Sequence, residues 1–260
     1  VKPAWLESSL APYFATDSVV IYHGKAEFIL PQLHAWDHVI TDPPYSEEVH
    51  MRHRVGAPGG GGDGLRGRKK KLRFEALTPQ LRWAMSLLYQ RTRRWCLVFG
   101  DAEESAPLWR RDLVFHGLPH YRTCFWHKLG ATPQLTGDRP AAHVELITCH
   151  HNTAFQVRPR WNGKGRGNVF SHLWLPYKIV RGKERPDHDT PKPVPLLEEL
   201  LSLFTDPREI ILDSFGGSGA TGLAAQNLGR RCILIDKDLH ACEVMRERLI
   251  QNESVRRKAS

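Results

Sequence analysis

Apolar residues along this chain gather in short β-branched runs set apart by glycine, proline and charge, a pattern that predicts buried strands and amphipathic helices. Strand candidates fall at Val19 to His23, Asp37 to Ile40, Cys96 to Phe99, Tyr121 to Trp126, Ala142 to Cys149, Ile210 to Leu212 and Cys232 to Ile235. Thr78-Pro79 opens a helix in which Leu81, Met85, Leu88 and Tyr89 recur through about residue 93. Further helices are expected over Ala106 to Leu113, over Pro193 to Phe204 on the strength of Val194, Leu197, Leu200, Leu201 and Phe204, and briefly around Phe28, Ile29 and Leu33. Residues 1 to 18, 127 to 141 and 152 to 187 carry no period and read as irregular. The length fits one large domain with a sizeable core.

Two stretches carry candidate chemistry. In Thr41-Asp42-Pro43-Pro44-Tyr45-Ser46 two prolines end the preceding strand, because neither can donate to a ladder, and leave an acid and an aromatic ring at its tip. One acceptor, a stiff wall of Pro43 and Pro44 and one flat face suit a planar ring bearing an exocyclic amine. A turn capped by Asp42 is the plain alternative. The second stretch, Asp213-Ser214-Phe215-Gly216-Gly217-Ser218-Gly219-Ala220-Thr221-Gly222, joins a strand to a helix running to about Asn227. Its glycines permit a tight turn and close backbone approach, and the next strand ends at Asp236, where a ribose diol is held in dinucleotide folds. Turn and acid together imply a nucleoside-bearing cofactor without choosing among NAD, FAD and S-adenosylmethionine.

Charge narrows the partner. There are 37 Lys and Arg against 28 Asp and Glu, a net charge of +9 and a pI near 9.5, which favours a polyanion. A glycine-rich stretch from 56 to 64 sits within a segment, 52 to 73, where eight basic residues, Arg66, Arg68, Lys69, Lys70 and Lys71 among them, face Asp63 alone. It reads as a mobile loop, about 47 to 73, able to clamp phosphates. In the insertion at 152 to 187, Arg158, Arg160, Lys164 and Arg166 are interleaved with Trp161, Phe170, Trp174 and Tyr177, which suits tracking a nucleic-acid backbone and stacking on bases. Packing of two of those four aromatics onto the sheet is the competing reading. Five dispersed cysteines without a C-x-x-C pair read as reduced core thiols. With no leader pattern and no membrane-length apolar run, the expectation is a cytoplasmic protein. His150-His151 have no second pair at ligand spacing, so no metal is expected.

Asp42-Pro43-Pro44-Tyr45 resembles the D-P-P-Y motif of S-adenosylmethionine-dependent DNA amino-methyltransferases, which modify adenine N6 or cytosine N4. Asp213 to Thr221 is similar to the D-P-F-x-G-S-G-T cofactor motif of the same enzymes, with Ser214 in place of proline and Ala220 in place of threonine. His188-Asp189-Thr190-Pro191-Lys192-Pro193 resembles the H-x-T-x-K-P segment that helps hold the methionine part of the cofactor, and Phe74 to Thr78 and Ala142 to Glu145 also look familiar. The motif order is similar to the permuted group called beta. Where members usually have Gly-Asp before the catalytic strand, this chain has Gly24-Lys25, so Glu27 or a backbone carbonyl would stand in for the missing acceptor near the cofactor adenine.

The resemblance implies one α/β methyltransferase domain, a Rossmann-like, seven-stranded, mostly parallel sheet with a reversed last strand and circularly permuted motif order. It implies S-adenosyl-L-methionine on His188, Thr190, Lys192, Pro193, Asp213, Phe215, Gly216, Gly217, Ser218, Gly219 and Asp236, and double-stranded DNA as partner, with a homodimer admitted and no membrane. A flipped base would stack on Tyr45 while Asp42 and the Pro43 carbonyl accept from its exocyclic amine, adenine N6 before cytosine N4. The short insertion implies a short or relaxed target sequence. A nicotinamide enzyme would leave the Asp42 to Tyr45 pocket unexplained, a non-catalytic DNA-binding protein would leave the site unexplained, and an RNA or protein methyltransferase is the nearer rival.

Overall fold

The computed structural model describes residues 2–45, 76–131, 140–173 and 191–259. Two-residue alternation within each apolar run decides which face of the sheet it serves, and both faces are covered. Strand β1 is Phe14–Ala15, β2 Val19–His23, β3 His38–Thr41, β4 Trp95–Gly100, β5 His120–Leu129, β6 Val144–His151, β7 Val169–Leu173, β8 Ile210–Asp213 and β9 Arg231–Asp236. On one face Ile21, Ile40, Leu97, Ile211 and Leu234 join one apolar cluster; on the other Val20, Val39, Val98, Leu212 and Ile233 join a second.

Helices α1 (Ala26–Ile29), α2 (Pro79–Tyr89) and α3 (Ser105–Phe115) cover the second cluster. Helices α4 (Val194–Phe204), α5 (Ala220–Asn227) and α6 (Leu239–Ala259) cover the first. The Thr78 hydroxyl caps α2 by accepting from Leu81 N at 3.1 Å, with Pro79 in the first turn where its missing N–H costs nothing.

The sheet runs β1-β2-β9-β8-β3-β4-β6-β5-β7. From β2 to β4 the pairing is parallel, β6 is reversed between β4 and β5, and β7 runs parallel to β5. The Rossmann-like α/β sheet is as expected, but it has nine strands among the described residues, not seven. The two additions are edge strands: β1 pairs along β2 inside the stretch read as irregular, and β7 pairs along β5 inside the 152 to 187 insertion. Each is held by one neighbour's ladder and has little period of its own, since only Phe170 of β7 is fully buried. Strand β5 also continues to Leu129, past the expected loop boundary.

All five cysteines are buried and free, and His150 and His151 are buried on β6. Among the described residues there is no metal-ligand cluster, and no helix is long and apolar enough to cross a membrane.

Candidate active site

Strands β8 and β3 are neighbours, and each chain segment that follows moves outward, β8 to β9 on one side and β3 to β4 on the other. A crevice opens at such a switch point beyond the carboxyl ends of the strands. Both candidate stretches meet there although they are far apart in sequence. The Thr41 hydroxyl donates to Asp213 Oδ1 at 2.7 Å across 172 positions, and the Thr221 hydroxyl donates to Asp213 Oδ2 at 2.6 Å. With Phe215 N also donating to Oδ1 at 3.1 Å, Asp213 fastens β3, the glycine turn and α5 together. Burial raises its pKa and these hydrogen bonds oppose the rise. Ser214, where the resembling motif has proline, pairs through its hydroxyl with the buried Tyr89 hydroxyl of α2.

Asp42, Pro43, Pro44 and Tyr45 line one wall of the crevice. Lys192, from the segment before α4, donates to Asp42 Oδ2 at 2.5 Å and to Glu145 Oε1 at 2.9 Å. Glu145 on β6 accepts in addition from Tyr45 Oη at 3.0 Å and, through Oε2, from Lys128 Nζ on β5 at 3.0 Å. Lys192 also sits 5.2 Å from the Phe99 ring centroid. Burial pushes the Asp42 carboxyl up and Lys192 draws it down, leaving it at about 6. Burial likewise raises Glu145, but Lys192 and Lys128 outweigh it and hold that carboxyl below its usual range. Burial lowers Lys192, and the carboxylates of Asp42 and Glu145 overcome this and raise it. Tyr45 is held well above its usual range by burial and then by Glu145, so its hydroxyl keeps its proton. Asp42 Oδ1 receives no hydrogen bond from the described residues and is left as an acceptor toward the crevice.

The opposite wall is the glycine turn. Gly216 N donates to Ile235 O at 2.9 Å, and Gly217 N and Asp238 N donate to the two Asp236 oxygens at 2.8 and 2.9 Å. Phe215, Gly216, Gly217 and Ser218 line the crevice together with Asp236. Gly216 and Gly219 answer to packing: a Cβ at either would come within 2.8 Å of Met245 on α6, and Gly219 has φ +75°. Arg248 on α6 donates to Ser218 O. Helix α6 thus braces the turn from behind, a role with no counterpart in the sequence reading, although Cys242, Met245 and Leu249 recur at helical spacing on its buried face.

Lys192 lines the crevice with its ammonium on Asp42 and Glu145, and Pro193 takes the N-cap position of α4. Lys25 and Glu27 both line the crevice at the start of α1, Glu27 half-buried and Lys25 exposed. Ser46, Phe74, Glu75, Trp174, Tyr177, His188 and Thr190, with Arg66, Arg68, Lys69, Lys70 and Lys71 of the basic loop, lie outside the described residues.

Arg158, Arg160, Trp161, Lys164 and Arg166 are not brought to the crevice. Trp95, the first residue of β4, donates from its indole to Arg160 O at 2.8 Å, so the segment crosses the amino end of β4, about 17 Å along the strand from Gly100. Arg160 pairs with Asp206 at 3.2 Å, Arg166 pairs with Glu199, and Trp161 packs on Phe204 with centroids 4.8 Å apart while donating to Lys164 O. Trp161 and Phe170, two of the four interleaved aromatics, therefore pack onto the sheet. Arg158 and Lys164 are exposed. Sequence reasoning missed Glu145 and Lys128 as site residues; an acid inside the apolar run of β6 was the available signal.

The fold is that of the S-adenosylmethionine-dependent DNA amino-methyltransferases, the enzymes of adenine N6 or cytosine N4. The DNA methylase family model matches residues 122–247, a range that holds Glu145, Lys192, the glycine turn and Asp236 but not Asp42. The chain is 44% identical over 68 residues to the type II methyltransferase M2.DpnII of Streptococcus pneumoniae, covering 26% of this chain and 25% of that one. Its structure is similar to that of M1.HpyAVI in complex with SAM, with 23% identity, a TM-score of 0.65 and coverage of 89% of this chain and 98% of that one. It is also similar to the cytosine-N4-specific PvuII DNA methyltransferase, with 14% identity, a TM-score of 0.61 and coverage of 89% and 86%. The chain spans between 25% and 59% of the length of the curated relatives it matches.

Proposed function

We propose that this protein transfers a methyl group from S-adenosyl-L-methionine to the exocyclic amine of a base flipped out of double-stranded DNA, with adenine N6 as the target. The observation that carries the proposal is the meeting of Asp42 and Tyr45 with the Asp236 glycine turn in one crevice. The residues fit the cofactor: Leu81, Leu197 and Phe215 offer apolar walls for a purine, and each Asp236 oxygen, holding one backbone N–H, has a lone pair left for a ribose hydroxyl. Glu27 supplies a carboxylate near the entrance where Lys25 cannot accept. When bound, the cofactor supplies an electrophilic methyl, so a nitrogen–carbon bond forms as the carbon–sulfur bond breaks.

In this reading Asp42 Oδ1 and the Pro43 carbonyl accept from the amine and aim its lone pair, Tyr45 stacks on the base, and Asp42 takes the proton the nitrogen releases on methylation. The basic stretch holding Arg66, Arg68, Lys69, Lys70 and Lys71 gives sequence-independent attraction to phosphates, and a short or relaxed target sequence follows from the small insertion. Circular permutation of the beta type and assembly as a homodimer belong to the same proposal. Cytosine N4 is the second reading, supported by the likeness to PvuII DNA methyltransferase. Methyl transfer from labelled cofactor offered duplex DNA, RNA and protein in parallel tests the reading. Label in DNA alone supports it, and label in RNA or protein alone overturns it.

A further inference from the structure

Glu145 does not line the crevice, yet two of the three residues that bond it, Tyr45 and Lys192, do. It is 2% exposed, on the reversed strand β6, and its carboxylate is saturated from three directions. Oε1 accepts from Tyr45 and from Lys192, and Oε2 accepts from Lys128. Lys192 in turn reaches Asp42 Oδ2, which makes a continuous row from β5 through β6 to the catalytic wall: Lys128, Glu145, Lys192, Asp42. Burying a carboxylate to this degree costs free energy that its ion pairs only offset, and an apolar residue of similar volume would do as well for stability alone. The partners differ from those of a stabilising pair in where they point. Tyr45 and Lys192 both line the crevice, and one buried anchor fixes the two side chains relative to each other.

We infer that Glu145 is a positioning residue which, from behind the crevice wall, holds the Tyr45 ring and the Lys192 ammonium in register with Asp42 so that Oδ1 alone is turned toward the amine. The inference rests on the methyl-transfer reading, since it gives the row its purpose. The groups facing Asp42 are Lys192 from the segment before α4, Glu145 from β6 and Asp213 from β8. Lys192 draws its carboxyl down while Glu145 and Asp213 push it up. Glu145→Gln keeps an oxygen for the Tyr45 hydroxyl and Lys192 but removes one negative charge and leaves Asp42 as the one carboxylate paired with Lys192. Both changes move the Asp42 titration below its present value of about 6.

The test uses the full chain in two measurements. Carbon-13 NMR of labelled aspartate, with the Asp42 signal assigned by Asp42→Asn, reads the titration without any turnover. The pH profile of kcat reads it with turnover. For Glu145→Gln the expected result is a lower Asp42 midpoint, an acid limb displaced downward to match, a loss of about 10-fold or more in kcat, and a cofactor KM within about threefold of wild type. A residue needed only for folding would lower Tm and the active fraction and leave the acid limb in place. An unmoved midpoint with full kcat in a folded Glu145→Gln protein overturns the inference. Tyr45→Phe supplies the second arm should Glu145→Gln not fold, because it removes only the hydroxyl that Glu145 holds. A kcat loss of about threefold or more is expected there, and unchanged turnover overturns the inference. If the Asp42 midpoint moves but wild-type protein labels no DNA, the methyl-transfer reading fails while the coupling stands.

Discussion

At the carboxyl ends of β3 and β8, Asp42 keeps one oxygen free beside open space, whereas at the amino ends of the same two strands every acid is spent on its neighbours. There His38, the first residue of β3, meets Glu209 Oε2 at 2.8 Å, Asp206 N donates to the same oxygen at 2.6 Å, and Arg94 takes the other. Asp37 Oδ2 accepts from Ile210 N at 2.8 Å. Burial pushes Glu209 up, but the hydrogen bond with His38 and its other partners carry the carboxyl down to about 2. At Asp42 burial outweighs Lys192 and the carboxyl stands at about 6. Both ends bury charge. Saturation on one side fastens strands together, while an unfilled acceptor on the other leaves a group able to act on something else.

Removing that acceptor is expected to have the largest effect. Asp42→Ala should lower kcat by about 10²–10⁴-fold and leave cofactor affinity nearly unchanged, as steady-state kinetics and calorimetry would show. Next comes the opposite wall. Asp236→Ala should weaken cofactor binding by about 1–3 kcal/mol, because it removes a carboxylate that also holds Gly217 N and Asp238 N, and unchanged calorimetric affinity would exclude Asp236 from the cofactor site.

Acid separates the two ends. If Asp42 acts as proposed, in its ionised form, activity should fall as pH drops through about 6. Stability should weaken over a wider window, set by groups outside the crevice. Burial lowers His150 and His151 to about 4, so an unfolded chain takes up protons below the ordinary histidine value of 6.5 that the folded chain refuses until about 4. Glu209 adds a second loss as pH falls from 4.5 toward 2, where its native partners no longer face a carboxylate. Urea midpoints across pH should therefore decline from about 6.5 downward, and His150→Gln should flatten the upper part of that slope. The smallest effect is expected at the amino end. Arg160→Ala should change affinity for duplex DNA by no more than about twofold, since an exposed ion pair with Asp206 is what it loses. A larger drop in a filter-binding titration would bring that face into the DNA interface.

Much of this architecture was legible from the chain. Strands buried on both faces declare themselves by β-branched runs, and the β3 run leads into Asp42 as its prolines require. What escaped was held by other parts of the molecule. Strands β1 and β7 exist because an edge was there to pair with. The 21 residues of α6 are mostly polar, and its apolar contacts are few because it covers only one stripe of the sheet. Gly216 and Gly219 read as ligand-facing turn residues, yet what fills the space of their missing Cβ atoms is Met245, 26 residues beyond Gly219 and invisible to any local motif. Glu145 could be read as an acid in a strand but not as the anchor of Tyr45, because the contact spans 100 positions.

The most direct test is nucleoside mass spectrometry of duplex DNA after incubation with S-adenosyl-L-methionine and either wild-type protein or Asp42→Ala of matched Tm. N6-methyladenine is expected from the wild type and none above background from the variant. Methylated base produced equally by both proteins, or by neither, would contradict it.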